Sequence, residues 1–507
     1  MPAVAGVVLI ILRCHSFSLP LETDECNYAY IGARLLAGDR LYVDVWDHQP
    51  PGAFMLFAAV TALFGASDFV FRSMATVFSL GTLFLLFAVV RRHGGRVPAC
   101  LAAFAFALVS SDPGTAGDGC NREHYMNMLA MAAVATMVLP GQMDRRHLML
   151  AGAMFGASSL LKTVVAAQWV LMALWASGRQ YSDDRSWRRV AGSVFWFGFG
   201  PAVIWLGAVT YFWGTGRVGA FTDAVFVYNL GYSGLERGIG GRFLGFFRPF
   251  IPVFFSAGPL WIAGAVAVPL LVIFERRRLT GPSGAWLAYA CGSYLAVSLP
   301  GQYWPHYYYL MIPPVLLVSA AVMSCGLRYA HSRVLGRWVM VAGAVWLVSL
   351  VGYEYVYYWG RDPLHVTAHR YDYRMQWGRA QGERVGDLID PDDLVFVWGH
   401  DVGVYYYARR RCVSRFTMCG PLAVGARGYE GRRRILLDEL RANRPRLVLL
   451  IDEEFPELRR FLQANYVQAG YDMDDHDPDA MIMLALMDKD RPVRLVNWEW
   501  RAPREGR

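Results

Sequence analysis

Residues 23–52 read TDECNYAYIGARLLAGDRLYVDVWDHQPPG, a polar and acidic stretch inside an otherwise strongly apolar N-terminal half. Asp24 can cap a helix, apolar residues recur at helical spacing over 28–35, and Gly38 is placed to end it. The pattern predicts a short amphipathic helix lying on a membrane surface. Two interpretations of the acidic start remain open: Asp24 is only a helix cap, or the paired carboxylates of Asp24 and Glu25 stand at the mouth of a membrane cavity.

The composition indicates a polytopic membrane protein. Of 507 residues, 55% are hydrophobic and only 18% are charged, and the mean hydropathy is +0.27. A soluble protein carries about 25% charged residues. The net charge of +8 comes largely from arginines in short loops between apolar runs and in the C-terminal third. Such loop arginines orient helices in a bilayer, so we expect no nucleic-acid partner.

The apolar runs of residues 1–358 predict about eleven transmembrane helices, with the N-terminus inside and the C-terminus outside. The orientation depends on Pro51 to Phe64, a short apolar run that we assign to the interface. With that assignment, five basic loops fall on one side of the membrane, as the positive-inside rule requires. Those loops contain Arg91-Arg92-His93, Arg145-Arg146, Arg179 to Arg189, Arg276 to Arg278 and Arg328 to Arg337.

Lys162 lies near the middle of the apolar run Leu148 to Ser177, which would be about 45 Å long as one helix. A central lysine costs about 2.5–3.5 kcal/mol on insertion scales, so we predict a break there that turns Lys162 toward an aqueous cavity. On this topology five polar features face the outer compartment, which favours an active site at that face. The alternative is that outer loops are simply where polar residues can lie. The five are the acidic stretch, Asp112 to Glu123, Lys162, Gly214 to Arg242 and GQYWPH at 301–306.

Residues 359–507 have the composition of a soluble domain, and the pattern predicts a small α/β fold. Arg374 to Leu388 and Arg432 to Arg441 are typical of helices, and Leu394 to Val397 and Leu447 to Ile451 of strands. This part contains no nucleophile elbow, P-loop or dinucleotide-binding fingerprint.

Other polar groups of the C-terminal part fit more than one interpretation. Cys412 and Cys419 can pair in an oxidising compartment or remain free thiols. Asp452, Glu453 and Glu454 follow a predicted strand and can bind a ligand, although a solvated helix start is the better explanation.

Several of these motifs, taken in order, resemble the GT-C membrane glycosyltransferases. The order is DE, an aromatic helix, then DHQPPG and an apolar helix ending in FG. Further motifs are GCNREHYMN at 119–127, GAMFGASSLLK at 152–162, YNLGYSG at 228–234 and YWPHYYYLMIPP at 303–314. The closest likeness is to the protein O-mannosyltransferase (glycosyltransferase family 39) and aminoarabinose transferase groups, over about the first 360 residues.

The resemblance implies a GT-C type membrane domain over residues 1–358 and a separate outer domain over 359–507. It implies transfer of a hexosyl or pentosyl group from a polyprenyl-phosphate donor to an acceptor hydroxyl. The acceptor would be an envelope protein, lipid or glycan. The protein would lie in the cytoplasmic (inner) membrane, with its C-terminal domain outside the cytoplasm.

The resemblance also implies roles for three carboxylates. Asp24 would be the general base that accepts the proton of the acceptor hydroxyl, with Glu25 as its neighbour or substitute. Glu123 would orient the acceptor or share the base role.

On the donor side, Lys162 and His306 would neutralise the departing phosphate, and Tyr307 would donate a hydrogen bond. The chain departs from the aminoarabinose group at Asp47-His48-Gln49-Pro50, where that group has an acidic residue, a lysine and a proline. His48 can replace the missing lysine only when it is protonated. Asp47 and His48 can instead bind a divalent metal ion, although two side chains are an incomplete coordination set.

Two other classes of function remain open at this point. A transporter also places polar residues in a membrane cavity, but it usually has internal repeats with paired broken helices, which this sequence lacks. A non-catalytic envelope-assembly protein would bind its partner with the outer domain and would not need the acidic residues of the first loop.

Overall fold

The computed structural model describes residues 1–233, 239–247, 250–330, 332–362, 374–473 and 481–493. These residues are mostly helical, and one small sheet lies in the C-terminal part. The N-terminal 362 residues contain α1 (Pro2–Cys14), α2 (Thr23–Leu36), α3 (Gly52–Phe64), α4 (Asp68–Gly94), α5 (Arg96–Val109), α6 (Glu123–Val138), α7 (Arg145–Ser159), α8 (Ala166–Asp184), α9 (Trp187–Gly214), α10 (Val218–Thr222), α11 (Asn229–Tyr232), α12 (Ile239–Gly245), α13 (Phe250–Glu275), α14 (Pro282–Ser298), α15 (Ile312–Tyr329) and α16 (Arg333–Glu354).

Five helical segments of the described chain are long and apolar enough to cross a membrane: Asp68–Gly94, Trp187–Gly214, Val253–Glu275, Pro305–Tyr329 and Arg333–Trp359. A sixth is possible if Pro2–Ser18 and Thr23–Leu36, which are bent by 77° at their junction, form one broken span. Several of the other predicted crossings are helices of only 13 to 17 residues. The count of about eleven crossings therefore stays a prediction.

The predicted break at Lys162 is confirmed. Helix α7 ends at Ser159, a single 3₁₀ turn covers Thr163–Val165, and α8 starts at Ala166. Lys162 has extended backbone angles between the two helices. A buried cation in this apolar run thus lies outside both helices.

Basic loops meet at one end of the helical bundle. His93, Glu275, Arg277 and Arg328 line one cavity there, at the ends of α4, α13 and α15. From the middle of α8, the indole N–H of Trp175 donates to the carbonyl of Gly281, in the loop after α13, at 3.0 Å. The acidic and polar loops lie at the other end of these helices. Which end faces the cytoplasm stays a prediction.

The C-terminal part is a mixed α/β fold. It contains α17 (Arg374–Leu388), α18 (Gly403–Ala408), α19 (Tyr429–Ala442) and α20 (Pro456–Asn465), with strands β1 (Leu394–Trp398), β2 (Arg411–Cys412), β3 (Leu447–Leu450), β4 (Tyr466–Met473) and β5 (Met481–Asp488). The strand order is β2-β1-β3-β5-β4. Strand β1 is parallel to β2 and β3, and β5 is antiparallel to β3 and β4. The two helices and two strands predicted here are confirmed to within three residues at each end.

Helix α2 is enclosed by protein on both sides, whereas the pattern predicted one exposed face; its position relative to the bilayer stays a prediction. Residues 25–32 are all buried, because the helix is enclosed between α3 and the C-terminal part. A Cβ on Gly32 would lie 2.9 Å from the backbone nitrogen of Ala58 in α3. On the other side, the backbone N–H of Cys412 donates to the hydroxyl of Tyr30 at 2.9 Å. Gly38 follows the helix with φ +94°, as the predicted stop requires.

Gly52 attaches the end of the DHQPPG run to the helix break. Its backbone N–H donates to the carbonyl oxygen of Leu160 at 2.9 Å. A Cβ on Gly52 would lie 2.6 Å from the same oxygen, a distance that side chains do not tolerate. Glycine at this position therefore lets the first polar loop approach the loop that carries Lys162.

We predict that Gly52→Ala destabilises the protein by about 1–3 kcal/mol, because the added methyl forces the two loops apart. The measurement is thermal unfolding of the detergent-solubilised protein. Gly207→Ala in α9 is the matched control, since nothing lies within 4 Å of a Cβ at that position. The prediction fails if both variants unfold at the parental temperature.

Candidate active site

Four of the predicted site residues form one buried cluster. The Nζ of Lys162 lies 3.1 Å from Oε1 of Glu123, the first residue of α6. The same Nζ lies 3.0 Å from the centroid of the Tyr307 ring, a cation–π contact. The ring of His306 lies 4.8 Å from that of Tyr307. Three distant segments of the chain thus bring these side chains together.

Asp24 faces this cluster but takes part in none of its hydrogen bonds. It is the second residue of α2 and is half-buried. Its charge acts on Arg122, Lys162 and His306. Within the described part of the chain, the Asp24 carboxylate has no hydrogen-bond partner.

Asp24 does not cap α2, so the cap interpretation was wrong. The N-cap is Glu22, whose side chain accepts from the backbone of Glu25, while the Glu25 side chain accepts from the Glu22 backbone N–H at 3.1 Å. Such a capping box satisfies two backbone donors at the helix start. Asp24 is therefore not needed to begin the helix.

Glu25 has structural partners on every side. Its Oε1 also accepts from the backbone N–H of Cys120, and its Oε2 lies 3.4 Å from Nη2 of Arg72. The side chain is fully buried. The two carboxylates that are adjacent in the sequence therefore have different surroundings: Glu25 joins loops, and Asp24 faces the cluster.

Arg72 is one of two residues that the sequence analysis missed. Its guanidinium donates to the carbonyl oxygens of Leu19 at 3.3 Å, Pro20 at 2.6 Å and Asp118 at 2.8 Å, besides its ion pair with Glu25. It thus fixes the turn before α2 to the loop before α6. In the sequence Arg72 is a single charge near the start of an apolar helix, and such a position gives no sign of these contacts.

Arg122 is the second missed residue, and it lies beside Glu123 of the buried cluster. It is buried, and its Nε lies 3.9 Å from Oε1 of Glu123. Its Nε and Nη1 have no hydrogen-bond partner within the described ranges. Buried donors without partners are costly, so these groups favour a bound anion. The sequence feature that could have identified Arg122 was its position beside Glu123 in the GCNREHYMN motif.

Asp47 is held inside the DHQPPG loop. Its carboxylate accepts from the Asn27 side chain at 2.6 Å and from the Gln49 backbone N–H at 2.8 Å. Burial raises the pKa of Asp47 to about 7, and the charge of Asp24 acts in the same direction. Near neutral pH this carboxyl is therefore only partly ionised.

His48 is neutral near pH 7. Burial, together with the positive charges of Arg122 and Lys162, lowers the pKa of His48 to about 3. It therefore cannot supply the positive charge of the missing lysine. It can still form hydrogen bonds, and its ring lies 4.8 Å from that of Tyr232.

A metal ion at Asp47 and His48 would have an incomplete set of ligands. The His48 Nδ1 lies 3.4 Å from Oδ1 of Asp47. No third histidine, cysteine or acidic side chain of the described residues groups with them at ligand distance. Metal binding by this pair stays a prediction.

Residues 48–205 match the sequence model of the dolichyl-phosphate-mannose-protein mannosyltransferase family. No curated protein sequence matched the chain.

The structure is similar to those of two kinds of membrane transferase. The crystal structure of ArnT from Cupriavidus metallidurans bound to undecaprenyl phosphate is 17% identical, with a TM-score of 0.63 and 96% of each chain covered. The apo structure of the same protein gives 16% identity and a TM-score of 0.65, covering 96% of this chain and 97% of that one. The oligosaccharyltransferase AglB from Archaeoglobus fulgidus, in complex with an inhibitory peptide and a dolichol-phosphate, is 13% identical, with a TM-score of 0.53, covering 89% of this chain and 68% of that one.

These similarities confirm the predicted resemblance to GT-C membrane glycosyltransferases. At such low identity they establish the fold. The protein is thus a multi-pass membrane protein with a GT-C fold of the ArnT kind.

We predict that Asp47 makes the stability of the protein fall as the pH rises from about 5 to 8. Its pKa is about 7 in the folded protein against an ordinary value of 3.8, so over this interval the folded state loses a proton that the unfolded state has already lost. Asp47→Asn should therefore flatten the dependence of the unfolding temperature on pH.

The matched control is Asp44→Asn in the same loop. Hydrogen bonding to Arg40 lowers the pKa of Asp44 to about 2, so its charge does not change in this interval. The unfolding temperature of Asp44→Asn should therefore depend on pH in the same way as that of the parental protein. The same pH dependence for Asp47→Asn as well would show that Asp47 does not titrate there.

Proposed function

We propose that the protein transfers a glycosyl group from a polyprenyl-phosphate donor to an acceptor hydroxyl at the outer face of the cytoplasmic membrane. One observation carries the proposal: a buried cluster contains an arginine with unpaired donors, Arg122, beside a carboxylate without hydrogen bonds, Asp24. A phosphate-linked donor needs the first group, and an acceptor hydroxyl needs the second. The similarity to structures that contain undecaprenyl phosphate and dolichol-phosphate supports the donor class.

The donor phosphate binds at Arg122. The Nε and Nη1 nitrogens of its guanidinium lack partners within the described ranges, and each can donate a charge-assisted hydrogen bond to a phosphate oxygen. When the bond between the sugar and the phosphate breaks, the departing polyprenyl phosphate gains negative charge. Arg122 and the neighbouring Lys162 stabilise that charge, in surroundings where electrostatic interactions are stronger than in water.

The acceptor hydroxyl approaches from the side of Asp24. Its oxygen attacks the anomeric carbon, its proton passes to the Asp24 carboxylate, and the bond to the phosphate oxygen breaks. Glu123 orients the acceptor or the sugar through Oε2, which has no hydrogen-bond partner within the described ranges. Tyr307 and His306 complete the donor side, where the Tyr307 ring holds Lys162 in place.

The proposed orientation places the site and the domain of residues 359–507 outside the cytoplasm. Its support is the separation of the molecule into an end with basic loops and an end with the polar cluster. Residues 1–358 carry the chemistry. The C-terminal domain covers the acceptor side, where the Phe416 ring lies 5.7 Å from that of Trp46. The acceptor is an envelope protein, lipid or glycan.

We predict that Asp24→Asn lowers transfer by about 10² to 10⁴-fold, because the amide cannot accept the proton. The unfolding temperature should stay at the parental value, since Glu22 caps the helix. The measurement is the amount of glycosylated product in envelopes of cells that lack the parental protein and carry each variant, analysed by mass spectrometry. Asp44→Asn is the control and should retain full product. Full product with Asp24→Asn would remove the base role.

We predict that Arg122→Gln weakens the binding of undecaprenyl phosphate to the purified protein by about 10 to 100-fold, as expected for hydrogen bonds to a charged group. Arg146→Gln changes an exposed arginine at the start of α7 and should bind the lipid like the parent. Asp24→Asn should also bind it. Unchanged lipid binding by Arg122→Gln would contradict the donor assignment. Intact binding without any sugar product from the parental protein would favour a transporter or an assembly protein.

A further inference from the structure

Three side chains of different type meet at one edge of the C-terminal sheet. His400 comes two residues after β1, and Asp452 comes two residues after β3, the parallel neighbour of β1. Cys419 reaches the same place from the loop after β2, where its backbone N–H donates to the carbonyl of Gly399 at 2.9 Å. The carboxyl ends of adjacent parallel strands are a common place for ligands.

The three potential ligand atoms lie close to one another. The Sγ of Cys419 is 3.3 Å from Nδ1 of His400 and 3.1 Å from Oδ2 of Asp452. The His400 Nδ1 is 3.5 Å from the same Oδ2. In a tetrahedral zinc site with ordinary bond lengths, such atoms lie about 3.3–3.7 Å apart. We propose that His400, Cys419 and Asp452 bind a zinc ion.

The geometry does not suit a nucleophilic thiol. A relay from cysteine through histidine to a carboxylate uses the two different nitrogens of the ring. Here Nδ1 is the nitrogen nearest to Cys419 and also the one paired with Asp452, while Nε2 is 3.9 Å from Sγ. One atom from each side chain therefore points to a common centre.

The donor set selects the type of metal. A thiolate, an imidazole and a carboxylate together suit zinc, whereas magnesium and calcium prefer oxygen alone. Cys419 is buried, and His400 and Asp452 are exposed, so the fourth position of the metal faces solvent. The alternative of a disulfide between Cys412 and Cys419 does not apply. Both residues are free thiols, and the Cys412 thiol lies against the carbonyl of Phe416.

The zinc ion would fix the loop that covers α2. Thr417, two residues before Cys419, donates its hydroxyl hydrogen to Oδ1 of Asn27 at 3.0 Å, and Asn27 in turn donates to Asp47 at 2.6 Å. The backbone N–H of Trp46 donates to the carbonyl of Arg415 at 2.9 Å. The zinc ion would thus hold this loop against α2, and the proposal does not depend on the reaction proposed for the membrane domain.

The test uses the purified full-length protein in detergent, saturated with Zn²⁺ and then dialysed. Elemental analysis should find about one zinc per chain. Cys419→Ser and His400→Ala should each weaken zinc binding by at least about 100-fold, since loss of a ligand costs no less than loss of its supporting contacts. Cys412→Ser, which removes another buried thiol of the same domain, should bind zinc like the parent.

Cobalt binding provides a second measurement. It uses the unchanged protein and therefore does not depend on whether a variant folds. Co²⁺ in the unchanged protein should give the absorption of a cobalt–thiolate bond, and Zn²⁺ should displace it. Hydrogen exchange over residues 411–422 should become faster when a chelator removes the metal. Absence of retained zinc, absence of the cobalt–thiolate absorption, or unchanged zinc binding by Cys419→Ser and His400→Ala would each overturn the proposal.

Discussion

The buried ion pair between Arg72 and Glu25 holds the candidate active site in place. Arg72 binds three carbonyl groups from the turn before α2 and the loop before α6, and Glu25 binds backbone groups of the same two segments. Removing one member of such a pair leaves an uncompensated buried charge, which costs about 3–5 kcal/mol. Both oxygens of Glu25 are occupied by these contacts, whereas the neighbouring Asp24 carboxylate makes none of them. The same constraint brings Arg122 and Glu123, which follow the second loop, opposite Asp24.

Local pattern was enough to predict most of the long helices, two of the five described strands and the break at Lys162. A lysine in an apolar run raises the free energy of inserting that run into a membrane, so a break in the helix can be predicted without knowledge of the fold. The α17 helix and strands β1 and β3 follow from periodicity in the same way. The GT-C resemblance was also visible, because its motifs occur in a fixed order along the chain.

Contacts between distant segments could not be predicted. The sequence suggested Asp24 as the cap, but Glu22 takes that place, aided by an Asn121 side chain 99 residues away that donates to its carboxylate. Arg122 could be recognised as a binding residue only when its donors were seen to lack partners. The residues of α2 have the period of a surface helix. Nothing in them shows that the C-terminal part covers the helix. The His400, Cys419 and Asp452 cluster likewise exists only when two parallel strands end side by side.

The cover over α2 has a consequence for biosynthesis. The hydroxyl of Tyr30 accepts from a backbone N–H 382 residues later, and the backbone N–H of Leu21 donates to the hydroxyl of Tyr407 at 2.7 Å. At typical rates of translation, about 20 to 80 s separate the synthesis of the two sides of these contacts. During that interval the nascent chain holds α2 with one side uncovered, although the helices around it are already made. The first polar loop to leave the ribosome is therefore among the last parts of the protein to reach its final structure.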